Sequence, residues 1–359
     1  MPFSSQDPVR VMLCDDSATA RAVLARLLEA EPGIKVVHQA ADGKQALAAL
    51  AEARPDVVLL DLEMPVMDGM TALPLILKAA PQAAVIVASA LSQRGAEITM
   101  QALRAGAADY VPKPRGAAGG AADPAFKAEL VAKVKGWARM HRRPAQPAAR
   151  PAVPPPRALP GMQVRPRIVA IGCSTGGPQA LASLVKKLPE MGVPVTIVQH
   201  MPAGFTTMLA DHLDRLGRLR CAEARDGETL AAGRIYLAPG DRHLLIEAQG
   251  QGFVARLSDA APENFCRPAV DPMLRSLARA CGPRLLAVIL TGMGQDGLAG
   301  CRAVAAAGGQ VLAQDEASSV VWGMPGAVAK AGLAQALLPP EQLADRIGAA
   351  AGAVAGARA

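Results

Sequence analysis

No apolar run in this chain approaches the roughly 18–20 residues needed to span a bilayer, although 51% of its 359 residues are apolar. The N-terminus has no apolar leader: Asp7 comes early and Val9-Arg10 follows directly, so a secretory signal is not expected. Six cysteines are present (Cys14, Cys173, Cys221, Cys266, Cys281, Cys301), and none stands in a CxxC spacing. Spread thinly over a long chain, they read as reduced core thiols rather than a disulfide frame or a zinc site. Together these absences point to a cytoplasmic protein. Acidic residues are missing from Leu130 to Pro166, where Lys133, Lys135, Arg139, Arg142, Arg143, Arg150, Arg157 and Arg165 stand. Subtracting those eight from the net charge of +7 leaves −1 for the rest, so neither globular part is strongly basic. The pI near 9.3 therefore reflects a basic linker, and a nucleic-acid partner is not expected.

The length accommodates two domains, each with a sizeable core. A stretch from Pro144 to Pro166 contains eight prolines with Ala and Arg and no apolar periodicity, which predicts a semi-rigid tether. On either side, apolar strand-like runs alternate with helical segments, as in α/β folds built on a parallel sheet. Strands are expected at Val9–Cys14, Ile34–Ala40, Val57–Leu60, Ala84–Ala88 and Asp109–Pro112. Helices are expected at Thr19–Glu29, Gly43–Ala53, Gly69–Ala79, Gln93–Ala105 and Pro124–Met140. From Arg167 onward the same logic repeats with a longer sheet.

In the first half, Asp15 and Asp16 end one strand and Asp61 ends another. Carboxylates at adjacent strand ends converge on one edge, and three such acids suit a hard cation such as Mg²⁺. Ser89 and Lys113, at the next two strand ends, add a hydroxyl and a cation to the same edge. With the segments Asp15-Asp16-Ser17, Asp61-Leu62-Glu63-Met64-Pro65-Val66-Met67-Asp68-Gly69, Ser89-Ala90 and Lys113-Pro114, residues 8–130 resemble the receiver domain of two-component response regulators. The resemblance implies a five-stranded, doubly wound, flavodoxin-like fold in which Asp61 accepts a phosphoryl group from a histidine kinase. It also implies that Asp15, Asp16, Asp61 and the backbone carbonyl of Glu63 hold Mg²⁺. Ser89 would bond the phosphoryl group, Lys113 would pair with it, and Tyr110 would be an aromatic switch. Tyr110 reads equally well as a core aromatic, and a cis peptide before Pro114 is compatible with the motif.

The second half carries three short loops, each after an apolar run. They are Gly172-Cys173-Ser174-Thr175-Gly176-Gly177-Pro178, Gln199-His200-Met201-Pro202 and Thr291-Gly292-Met293-Gly294-Gln295-Asp296-Gly297. The runs before them are Arg167–Ile171, Val193–Val198 and Leu285–Leu290. Loops that leave the carboxyl ends of parallel strands gather on one edge, so a Ser, a His and an Asp are delivered together. The Gly-rich turn before the helix at Gln179–Leu188 suits an oxyanion site or a phosphate cradle. No Walker lysine follows it, and it is neither GxGxxG nor G-x-S-x-G. Gly297 leaves open whether Asp296 orients the imidazole or caps a helix. No helix-turn-helix pattern occurs in residues 167–359.

These loops resemble the chemotaxis receptor methylesterase, or CheB, family. Also matching are Pro239-Gly240, Arg267-Pro268-Ala269-Val270-Asp271 and Gln314-Asp315-Glu316-Ala317-Ser318-Ser319-Val320-Val321-Trp322-Gly323-Met324-Pro325. The resemblance implies a Rossmann-like α/β hydrolytic domain over residues 167–350. Before it would lie a helix end and linker at 131–166, and after it an Ala/Gly-rich tail at 351–359. It implies hydrolysis of glutamate γ-methyl esters on chemoreceptors and deamidation of receptor glutamines. Ser174 would be nucleophile, His200 acid/base and Asp296 the orienting acid, with the amides of Met293 and Thr175 at the oxyanion and no cofactor for this step. Cys173, beside the nucleophile, reads as a packed apolar residue or a competing thiol. A monomer without membrane insertion is expected.

Overall fold

The computed structural model describes residues 7–89, 92–113, 124–142 and 164–352. Most of the proline-rich tether, the peptide before Pro114 and residues 353–359 lie outside the described residues. The chain divides into two compact units, Met1–Ala148 and Ala149–Ala359.

In the first unit, apolar runs become the strands β1 (Val9–Cys14), β2 (Ile34–Ala40), β3 (Val57–Asp61), β4 (Ala84–Ser89) and β5 (Asp109–Pro112), with β3 and β4 buried on both faces and β2 exposing Lys35 and Gln39. They pair in parallel in the order β2-β1-β3-β4-β5. Between them run helices α1 (Ala18–Glu29), α2 (Gly43–Ala53), α3 (Gly69–Ala79) and α4 (Gln93–Arg104). Each starts where a short polar side chain accepts from an otherwise orphaned amide: Ser17, Asp42, Asp68 and Ser92. Strands β3 and β4 each run one residue further than their apolar stretch, because Asp61 pairs with Ala88 and Ser89 with Pro112 across the ladder. Their functional side chains are thus held by sheet geometry rather than by loops.

A last helix, α5 (Pro124–Arg142), revises the reading of the basic segment. Lys133, counted there toward a basic linker, is only 3% exposed and sits against Glu129 at 2.8 Å, Asp109 at 3.4 Å and the Tyr110 carbonyl at 2.5 Å. Lys135 pairs with Glu31 at 2.6 Å and Arg142 with Asp56 at 2.6 Å. These cations lock α5 onto the unit. Removing one partner of a buried ion pair costs about 3–5 kcal/mol. Lys133→Ala should therefore destabilise the first unit by about that amount, read from urea unfolding at Trp137 in a Trp322→Phe background. An unchanged midpoint would show that the pair contributes nothing net.

In the second unit, the main sheet has seven parallel strands in the order β14-β13-β12-β6-β7-β9-β8. These are β6 (Ile168–Cys173), β7 (Val195–Gln199), β8 (Arg220–Glu223), β9 (Arg234–Leu237), β12 (Leu285–Ile289), β13 (Gln310–Gln314) and β14 (Ala336–Leu338). An antiparallel pair, β10 (His243–Gln249) with β11 (Gly252–Ser258), stands apart from it and was not foreseen. The helices are α6 (Gly177–Lys187), α7 (Phe205–Leu216), α8 (Val270–Cys281), α9 (Leu298–Ala306), α10 (Met324–Lys330) and α11 (Pro340–Ala351). The three central strands, β12, β6 and β7, are buried throughout, as expected for a parallel sheet covered on both faces.

Strand β6 lies between β12 and β7, at the point where the winding reverses direction. Such a switch point opens a crevice at the carboxyl ends of the strands. Strand β6 extends through Gly172 and Cys173, two residues beyond the expected run, by pairing with Val198 and Gln199. Glycine is needed at 172, because a Cβ there would come within 2.5 Å of Val270. The extension makes Ser174 the first residue past the strand.

Candidate active site

Ser174, His200 and the Asp296 loop follow the ends of β6, β7 and β12, three adjacent strands. The chain then turns sharply: Gly177 N–H donates to the Ser174 carbonyl at 2.8 Å, and Gly176 takes φ +73° before α6 begins. Backbone bonds draw the three loops together. The Ser174 amide donates to the Thr291 carbonyl at 3.0 Å, and the His200 amide to the Cys173 carbonyl at 3.2 Å. Buried Gln199 adds a clamp, donating from Nε2 to the carbonyls of Ser174 (2.9 Å) and His200 (3.2 Å).

The tightest feature of the site is the pairing of His200 Nε2 with Asp296 Oδ2 at 2.7 Å. The Asp296 carboxylate is 2% exposed and accepts further bonds from the amides of Val270 (2.7 Å), Asp271 (3.1 Å) and Gly297 (2.9 Å). Asn264 Nδ2 donates to its other oxygen at 3.0 Å and also to Asp271 Oδ2 at 3.0 Å. Val270 and Asp271 open α8, so the positive end of a twelve-residue helix faces this carboxylate. Both readings left by Gly297 have a counterpart here: Asp296 pairs with the imidazole and also accepts from the first amides of a helix. Gly297 itself caps α9, without a side-chain bond, while Asp296 accepts from the start of a different helix.

The electrostatics follow from these contacts. Burial opposes the charge on Asp296, but its bonds to His200 and to the amides outweigh it and hold the carboxyl below its ordinary range. For His200, burial also opposes the charged form; the Asp296 bond and the Cys266 contact prevail and raise the imidazole to about 10. Asp271 is raised, first by burial and then by the charge of Asp296, with Gly300 N–H at 2.6 Å opposing the rise.

The second imidazole nitrogen, Nδ1, lies 3.3 Å from Cys266 Sγ. Among the described hydrogen bonds none joins Ser174 Oγ to His200. The thiol beside the His200 ring is Cys266, whereas Cys173 is fully buried, points at the Val198 carbonyl (3.6 Å) and is pushed up by desolvation. Thr175 is buried with its carbonyl accepting from Thr291 Oγ1 at 2.9 Å, and Met293 is half-buried on the same loop as Asp296. Asn264, Cys266 and the α8 amides were missed by the sequence reading. The only signal was the matching segment Arg267–Asp271, to which no chemistry had been attached. His243 is buried, with Nε2 facing the Ala261 carbonyl at 3.1 Å and Nδ1 accepting from Ala269 N–H at 3.2 Å.

The first unit has a second cluster. Ligand atoms of Asp15, Asp16 and Asp61 lie within 4.8 Å of one another. This all-oxygen set, two members buried and Asp16 exposed, fits a hard cation such as Mg²⁺. Lys113 Nζ meets Asp61 Oδ2 at 2.5 Å, and the Glu63 amide donates to Oδ1 at 3.1 Å. Burial raises the Asp61 carboxyl above its ordinary value, with Lys113 opposing. Ser89, whose hydroxyl donates to the Gly95 carbonyl at 3.0 Å, lines one cleft with Asp61, Glu63 and Lys113. Tyr110 is not on that lining: it is 6% exposed, with the Lys133 ammonium 4.6 Å from its ring centre.

Residues 169–347 match the family model for the CheB methylesterase, and residues 11–119 match that for the response regulator receiver domain. A protein-glutamate methylesterase/protein-glutamine glutaminase 1 from Paramagnetospirillum magneticum is 50% identical over 369 residues, covering 96% of this chain and 97% of that one. A protein-glutamate methylesterase/protein-glutamine glutaminase from Azospirillum brasilense is 51% identical over 365 residues, covering 95% and 92%. Among solved structures, the Thermotoga maritima CheB methylesterase catalytic domain has 42% identity and a TM-score of 0.50, covering 51% of this chain and 98% of that one. The fold and these matches define a hydrolytic α/β unit joined to a response regulator receiver. The chain belongs to the CheB methylesterase family. Among the described residues, no helix is long and apolar enough to cross a membrane.

If His200 serves as the base it must be neutral to accept a proton, so kcat/KM should rise with pH along a limb centred above the ordinary imidazole value of 6.5. Asp296→Asn removes the charge that raises His200. The limb should then move to lower pH while the maximum rate falls by roughly 10³–10⁴-fold. A limb that stays in place would mean that Asp296 does not set the proton affinity of His200.

Proposed function

We propose that this chain is a phosphorylation-activated enzyme that demethylates glutamate γ-methyl esters on chemoreceptors and deamidates receptor glutamines, giving adaptation in a chemotaxis-type pathway. In this reading residues 8–130 form the receiver, 131–166 a helix end and tether, and 167–350 the catalytic domain. The observation that carries it is the 2.7 Å His200–Asp296 pair beside Ser174 at the switch point of the sheet.

Ser174 is the nucleophile, His200 the general acid/base and Asp296 the fixed anion. Because Nε2 is committed to Asp296, the proton of Ser174 Oγ passes to Nδ1. The Cys266 thiol gives way as the hydroxyl engages that nitrogen. Oγ then bonds to the ester carbon, and the amides of Thr175 and Met293 receive the charge on the carbonyl oxygen. As the ester C–O bond or the amide C–N bond breaks, Nδ1 returns the proton to the leaving oxygen or nitrogen, and methanol or ammonia departs. Water, giving a proton to His200, bonds to the acyl carbon as its bond to Oγ breaks, and His200 returns that proton to Oγ, freeing the glutamate and Ser174.

In the receiver, Asp61 attacks the phosphoryl group of a kinase phosphohistidine, with Lys113 pairing the incoming charge and Ser89 donating to it. Asp15, Asp16, Asp61 and the carbonyl of Glu63 would hold Mg²⁺, which neutralises phosphoryl charge when bound. Tyr110 serves as the switch residue, its buried position being one of two states.

The test is methanol release from methylated chemoreceptor membranes, with and without a small phosphodonor and Mg²⁺. Ser174→Ala should lose about 10³-fold or more, and Asp61→Asn should keep basal release but ignore the phosphodonor. Near-normal release from Ser174→Ala would overturn the serine mechanism, and full stimulation of Asp61→Asn would overturn the proposed phosphoryl acceptor.

A further inference from the structure

The segment Glu263–Cys266 is a two-residue turn, closed by Glu263 N–H to the Cys266 carbonyl (3.1 Å) and Cys266 N–H to the Glu263 carbonyl (2.9 Å). Both central residues are left-handed, Asn264 at φ +51° and Phe265 at φ +63°. Such turns favour Asn at the first central position and Gly at the second. Asn264 meets that preference and Phe265 contradicts it. Phe265 is also 100% exposed, the only exposed large hydrophobic among the described residues of the second unit.

The turn cannot relax to hide this ring. Asn264 is bonded to Asp271 and Asp296, Cys266 touches His200 Nδ1, and Glu263 pairs with Arg275 at 2.5 Å. Both chain neighbours of Phe265 therefore contact the His200–Asp296 relay or its support. Glycine at 265 would remove the backbone strain and the exposed apolar surface together, so folding gives no reason for phenylalanine there. Strain that persists at a site is a pointer to its use. A rigidly presented aromatic loses little entropy on binding.

We infer that Phe265 is a specificity-determining residue: its ring contacts an apolar side chain on the substrate polypeptide, next to the glutamate or glutamine that enters the Ser174–His200 edge. The inference rests on the proposed esterase reading. The ring lies outside the reacting group's own contacts, so a small ester does not need it and a protein substrate does.

The test compares the full-length chain with Phe265→Ala, Phe265→Gly and Phe265→Leu on two substrates, methylated chemoreceptor membranes and a short peptide containing glutamate γ-methyl ester. Phe265→Ala and Phe265→Gly should lower kcat/KM on the receptor by about tenfold, mainly through KM. Both should keep the wild-type rate on the peptide, and Phe265→Leu should recover part of the loss. Unchanged receptor kinetics, or equal losses on both substrates, would overturn the inference, the latter by assigning Phe265 to support of the relay. Ser174→Ala in the same assays separates the two readings. If it stays active, or if the wild type releases no methanol from receptors, the esterase reading fails; if Ser174→Ala is inactive and Phe265→Ala is normal, only this inference fails.

Discussion

The arrangement at the proposed catalytic edge depends on one buried carboxylate staying ionised. An isolated charge in a protein interior is so costly that the group ordinarily neutralises. Asp296 is 2% exposed and stays charged because five donors converge on it: His200, Asn264 and the amides of Val270, Asp271 and Gly297. Those donors come from the end of β7, a strained turn, the start of α8 and the loop after β12. No single segment can satisfy the carboxylate. The relay therefore exists only when the central strands are in register and α8 is docked, which couples the chemistry to the fold of the whole second unit.

The first unit handles a carboxylate at a parallel-sheet edge differently. Asp61 is also buried, yet it has fewer partners, Lys113 and the Glu63 amide, and its proton affinity is raised rather than lowered. The contrast fits the two proposed roles. A carboxylate that orients an imidazole works best as a fixed anion, saturated with donors. One that must form a bond to phosphorus needs a free lone pair and a site open to an incoming group. In the proposed roles the number of donors separates a supporting acid from a nucleophile, one in the loop after β12 and the other the last residue of β3.

What could be read from the sequence follows the same physics. Strands buried on both faces leave continuous apolar runs, so β3, β4, β6, β7 and β12 were legible to within one or two residues, while the edge strand β2, with Lys35 and Gln39 exposed, was legible from Ile34, Val36 and Val37. The strand-end rule then delivered Ser174, His200, Asp296 and the acidic cluster without knowledge of contacts. It could not deliver Asn264 or Cys266. They lie in a polar stretch with no periodicity, and their relevance comes from a two-residue turn that folds back over the edge. Nor could it tell Cys173 from Cys266, since adjacency in sequence to Ser174 says nothing about which thiol reaches the imidazole. The basic run after Leu130 misled for a related reason. Charge counting cannot see that α5 turns Lys133 inward, where Asp109 and Glu129 receive it.

The His200–Asp296 pair also sets stability and activity against each other along the pH axis. His200 is raised in the folded state, so its stabilising contribution is complete below its ordinary value of 6.5 and is lost as pH rises through the folded value of about 10. Asp296 is lowered, so its contribution is present above its ordinary value of 3.8 and is lost as pH falls through the folded value. Both contributions are complete only between 3.8 and 6.5. The proposed chemistry needs the opposite state of the imidazole, neutral and ready to take the serine proton, and that state gains population as pH rises beyond this window. The relay is thus most firmly held where it is least able to act as a base. In the proposed chemistry each turnover would draw on the less populated, neutral imidazole, so a group that shifts that population, whether the Cys266 thiol at Nδ1 or a substrate that displaces it, would change the rate without touching Ser174.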